Sequence, residues 1–87
     1  MLAALRRDGL SAERWSNGSH AVYARHDHPY AKLLYCVEGG ITFIVGSERR
    51  EVVMRPGDRL ELPAHTPHSA VVGPNGVVCL EAHRTPP

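Results

Sequence analysis

Cysteine is scarce: there are two among 87 residues, too few for a disulfide framework. Reduced thiols and a cytoplasmic setting are the expectation. A dominant charge sign is also missing. The formal net charge is +1, so no strongly basic surface is available for phosphates and nucleic acid is not an expected partner. No apolar run approaches the length of a membrane span, so no membrane partner is expected either. Met1 to Arg7 is too short and too soon charged to read as a signal peptide. Repeats and low-complexity tracts are lacking as well. What remains is a single domain over residues 1–87, with apolar content, 43%, high enough for a globular core. That core is small, and a lone chain of this length is marginally stable.

The chain reads as strand and turn. Leu2 to Asp8 has room for a short helical turn closed by Gly9. Extended runs then follow at Ala21 to Arg25, Lys32 to Glu38, Ile41 to Val45, Arg49 to Met54, Leu60 to Leu62, Ser69 to Val72 and Val77 to Ala82. Gly39-Gly40 predicts a hairpin between the second and third of these. Pro56-Gly57 suits the two central places of a type II turn, and Gly73-Pro74-Asn75-Gly76 marks another turn. Short strands at even spacing predict an all-β fold, a small antiparallel β-barrel or jelly roll of two sheets, roughly residues 13–83.

Lys32 to Glu38 is apolar on both faces: Leu34 and Cys36 on one, Leu33, Tyr35 and Val37 on the other. A sheet with one wet side should alternate. Either a second subunit covers the outer face, making a homodimer, or the N-terminal segment does.

Six histidines are the outstanding feature. His26 and His28 are one residue apart, and on a strand such residues project to the same side, where a sheet can present two nitrogens to one metal ion. A pair of solvated histidines is the plain alternative. His65 and His68 lie in Pro63-Ala64-His65-Thr66-Pro67-His68, where two prolines restrict the loop and lower the entropy cost of fixing a ligand. His20 and His83 have no such context.

At these residues the sequence resembles the cupins. Their first motif reads G-x5-H-x-H-x3,4-E-x6-G; His26, His28 and Gly39 fall in register, Lys32 stands at the glutamate and His20 at the opening glycine. The second reads G-x5-P-x-G-x2-H-x3-N; Gly57, Pro63 and His68 match, while His65 replaces the second glycine and Val72 the asparagine. The resemblance spans roughly residues 20 to 83. It implies a β-barrel with a metal near its mouth, held by His26, His28 and His68 without the family's glutamate. Three neutral imidazoles suit zinc, iron(II), nickel or copper, and suit manganese least.

Lys32 shares the strand face of His28 if the strand is regular. Beside a dication it would act as a general base or pair with an anionic substrate, which makes it the candidate catalytic residue. Alternatively it fills the metal's space, leaving a metal-free pocket, or lies solvated at the rim. His65 either supplies a fourth, cofactor-binding ligand or lines the entrance, with a positive φ as the cost of replacing glycine. Trp15, Tyr23, Tyr30 and Phe43 are core or pocket-wall residues, and Cys36 and Cys79 buried thiols. Two functions fit: a metalloenzyme acting on a small molecule, as a dioxygenase or an isomerase or lyase, and a non-enzymatic small-molecule binding or sensor module.

Overall fold

A computed structural model describes residues 12–84; the helical turn expected at Leu2 to Asp8 lies outside them. Six antiparallel strands make up this part: β1 (Ala12–Asn17), β2 (Val22–His26), β3 (Ala31–Val45), β4 (Arg50–Met54), β5 (Arg59–Leu62) and β6 (His68–Arg84). The fold is all-β, as the patterning requires.

The topology depends on the two long strands. The first half of β3 pairs with β5 on one side and with the second half of β6 on the other, and β6 there also pairs with β1. The second half of β3 pairs with β4 and with the first half of β6, which pairs with β2. Two four-stranded layers result, joined because β3 and β6 pass through both. The predicted Gly39-Gly40 hairpin does not form. The two apolar runs on either side of it belong to one strand, and each pairs with β6 instead of with the other. Gly73-Pro74-Asn75-Gly76 is likewise a bend inside β6, not a turn between two strands.

Packing at the two bends explains the glycines. Gly39 and Gly76 both have φ of +74°, and a Cβ on Gly39 would lie 2.0 Å from the Gly76 carbonyl oxygen. Only backbone without side chains lets the two bent strands come this close. The bends also change which residues face inward. Lys32, Leu34 and Cys36 point in before the bend of β3, and Ile41 and Phe43 after it, with ladder shifts between Cys36 and Ile41. At Pro56-Gly57 the expected turn is present: Gly57 has φ of +95° and Asp58 N–H donates to Arg55 C=O at 2.9 Å.

Leu34, Cys36, Met54, Val72 and Cys79 are fully buried between the layers. Each large apolar side chain so placed contributes about 1.5–3 kcal/mol. The outer face of β3 is covered too: Leu33, Tyr35 and Ala82 form a second buried cluster, with Leu80 against it. These side chains are buried within the single chain.

Candidate metal centre

The site lies at one end of β2 and β6. Tyr23 pairs with Ala70 and His26 with His68, so three residue steps on β2 oppose two on β6. This β-bulge reverses the alternation after the inward Tyr23 and turns His26 inward, next to buried His68. Bulges commonly redirect side chains at functional sites. β2 ends at His26, so His28 is not on the strand as the spacing predicted. A loop contact fixes its backbone instead: His65 N–H donates to His28 C=O at 2.6 Å.

His26, His28 and His68 converge. One ring nitrogen of each lies within 4.8 Å of those of the other two. His26 donates Nδ1–H to Ala24 C=O at 2.6 Å, and His68 donates Nδ1–H to Thr66 C=O at 2.9 Å. That leaves Nε2 of both rings with its lone pair free, the usual arrangement for metal-ligating imidazoles. His28 Nε2 is buried and has no hydrogen-bond partner among the described residues. An orphaned buried nitrogen costs free energy unless something occupies its lone pair. Burial, then the charges of Lys32, His26 and His68, hold the His28 imidazole below its ordinary range. Burial, with His26 and Lys32, outweighs the bond to Thr66 and does the same for His68. Neutral imidazoles are what a metal requires. The residues present fit a divalent transition ion of borderline softness.

The triad opens into a cavity of about 480 Å³, walled by Trp15, Tyr23, Tyr30, Phe43, Lys32 and Glu81 among others. All four aromatics singled out in the sequence line it. Lys32 points inward, although no regular strand joins it to His28, and its Nζ lies 3.0 Å from Glu81 Oε1. Glu81 Oε2 also accepts from His83 Nε2 at 2.7 Å. Burial pushes the Glu81 carboxyl up, but the bonds and charges of His83 and Lys32 prevail and hold it below its usual range. His65 is placed differently from the three ligands. Its φ is +62° and its ring is exposed and outside the cavity wall, so its backbone is the part that touches the site.

Glu81 and His83 were not picked out from the sequence. The signal was there: Val77, Cys79, Glu81 and His83 alternate on the inward face of β6, with Lys32 opposite His83 and Leu34 opposite Glu81. Cys36 and Cys79 face each other across the strands, buried and free.

Among known proteins, solved structures give the clearest likenesses. KdgF from Halomonas sp. is 28% identical with a TM-score of 0.71, covering 86% of this chain and 69% of its own. A putative mannose-6-phosphate isomerase from Ralstonia eutropha JMP134 is 28% identical with a TM-score of 0.75, covering 92% and 78%. The DMSP lyase DddQ from Ruegeria pomeroyi DSS-3, at 21% identity and a TM-score of 0.77, shares the fold over 86% of this chain but only 38% of its own length. No curated protein matches the sequence. Residues 17–80 match the cupin domain family. With the bent-strand barrel and the inward histidines at the motif positions, the chain belongs to the cupin-domain family.

Proposed function

We propose that this protein binds a divalent transition metal through Nε2 of His26, His28 and His68 and acts on a small polar molecule held in the adjoining cavity. The observation that carries this reading is the state of the three rings: two have Nδ1 tied to carbonyls, and the third has a buried Nε2 with no partner. Zinc, iron(II), nickel and copper suit three imidazoles, and manganese suits them least. When bound, such an ion supplies Lewis-acid polarisation of a carbonyl or hydroxyl oxygen.

The residues around it favour isomerase or lyase chemistry over oxygen insertion. Lys32 holds a proton on Nζ at the cavity wall, with Glu81 as its counter-ion. A donor and an acceptor in contact beside a polarised carbonyl are what proton transfer at the neighbouring carbon needs. The aromatic side chains give the cavity an apolar wall beside that step. The similar Ralstonia eutropha structure, described as a putative mannose-6-phosphate isomerase, agrees with this class. A cytoplasmic setting, expected from the two free thiols, is part of the reading. So is a homodimer, now resting on exposed Val22, Val53 and Val71 on the outer sheet face, and sedimentation at micromolar concentration tests it.

Elemental analysis and zinc titration of the wild type and of His28→Ala test the metal. Stoichiometric uptake lost in the variant supports it, and a wild type that takes up none rejects it. A second reading, a metal-free binding module, is favoured by the ion pair itself, since Lys32 is already neutralised by Glu81. A melting temperature that rises with an organic ligand and is indifferent to metal selects that reading. Turnover lost in Lys32→Met but kept in Val53→Thr selects the enzyme.

A further inference from the structure

The three imidazoles are not held alike. His26 and His68 each have a carbonyl two residues back that sets tautomer and ring plane together. His28 has no such partner among the described residues, and it lies beyond the end of β2, where no ladder restrains it. Its main chain is tied, by His65 N–H and by the conformational limits of the following Pro29. Neither contact fixes the ring.

The ring meets His26 edge-on at 4.7 Å, and the ring stacked on its flat face is that of Tyr30. The two rings stack with centroids 4.9 Å apart and planes 14° from parallel. Tyr30 stacks in turn on His83, at 4.3 Å and 23°. His83 is anchored through Nε2 to Glu81, and Glu81 to Lys32. A ladder of rings thus runs from the ion pair between β3 and β6 to the one histidine that the backbone leaves free to rotate. Stacked rings resist rotation about the side-chain bonds because any tilt gives up contact area on both faces.

We propose that Tyr30, backed by His83 and Glu81, is a positioning residue of the metal centre: it fixes the ring plane of His28 in the role that a carbonyl plays for His26 and His68. The inference rests on the metal-binding reading above. Outer-shell partners of metal ligands commonly matter this way, although through hydrogen bonds rather than a ring face.

Two measurements on Tyr30→Ala, Tyr30→Phe and His83→Ala test it. The first is zinc affinity by competition titration. The expected result is a loss of about 10- to 100-fold in Tyr30→Ala, a smaller loss in His83→Ala, and a value within about twofold of wild type in Tyr30→Phe, which keeps the ring and drops the hydroxyl. The second is the NMR signal of the His28 ring protons in metal-free protein. The stacked ring shifts these protons in the wild type; the shift should disappear in Tyr30→Ala and persist in Tyr30→Phe. Tyr30→Ala protein that keeps both the zinc affinity and the His28 shifts overturns the proposal. If Tyr30→Ala does not fold, His83→Ala, altered at an exposed ring, decides by the same two readouts. A wild type that binds zinc no better than His26→Ala instead overturns the metal reading, and the ring-proton shifts then decide the positioning role by themselves.

Discussion

Lys32 and Glu81 meet at 3.0 Å on neighbouring strands, with side chains only 14% and 13% exposed. They are diagonal in the ladder: Glu81 lies opposite Leu34, and Lys32 opposite His83. The cupin motif puts a carboxylate at position 32. Here the carboxylate comes from β6 and a lysine occupies its place, so this wall of the cavity carries no net charge. Any divalent ion held by the three neutral imidazoles would keep its full charge, which favours an anionic group on the ligand.

Removing the lysine leaves Glu81 with His83 alone. Lys32→Met should lower stability by about 1–3 kcal/mol, less than the loss for a fully buried pair because His83 still donates. Glu81→Gln in the same background should restore part of it, since a neutral amide costs less to bury. Urea unfolding of the single and double variants measures both. A Lys32→Met protein as stable as wild type would place the lysine's partner interaction in solvent.

The same carboxyl sets an acid limit. Glu81 is held below its ordinary value of 4.5. The unfolded chain therefore binds more protons than the folded one between the folded value and the ordinary one, and stability rises with pH across that interval. The contribution is fully present above about pH 5 and is lost as pH falls through the folded value. Melting temperatures between pH 6 and pH 3 should fall more steeply in wild type than in Glu81→Gln. Parallel curves would show that the carboxyl gains nothing from folding.

Gly39→Ala is expected to disrupt the fold. The new Cβ would meet the Gly76 carbonyl oxygen at 2.0 Å, in a backbone conformation that alanine adopts at a cost of about 1–2 kcal/mol before any clash. The combined loss should leave little folded protein, read by circular dichroism and soluble yield. Gly46→Ala has similar φ, +76°, but open space around it, so it should cost only the conformational part. Equal losses in the two variants would mean that the contact between the bends is unimportant.

His65→Gly should raise stability by a few tenths to about 1 kcal/mol, because glycine takes the positive φ of +62° without strain. The N–H bond to His28 C=O survives the change, and metal affinity should stay as in wild type. A large fall in zinc affinity would instead show that the exposed ring takes part in binding.

The extended runs after residue 20, the Pro56-Gly57 turn and the histidine set could be read from the sequence because each depends on local chemistry, whereas β1 (Ala12–Asn17) carries no such signal. Glycine and proline mark breaks, alternation marks faces, and closely spaced histidines mark a cluster. What escaped depends on relations between distant segments. The Gly-Gly pair at 39 and 40 reads as a hairpin because nothing nearby shows that β6 pairs with both sides of it. His26 faces inward because of a bulge whose partner, His68, lies far along the chain. Glu81 was overlooked because its importance comes from Lys32 across the ladder, and His83 because it needs Tyr30 to stack on.

Because β3 and β6 each run through both layers, opening one layer frays the two strands on which every ladder of the other is built. Amide hydrogen exchange should therefore show similar protection at Leu34 and Phe43, which lie in different layers of one strand, instead of a stable half and a labile one. A chain this small gains all-or-none behaviour from that shared pair of strands, and access to the imidazoles then depends on motion at the rim, not on separation of the sheets.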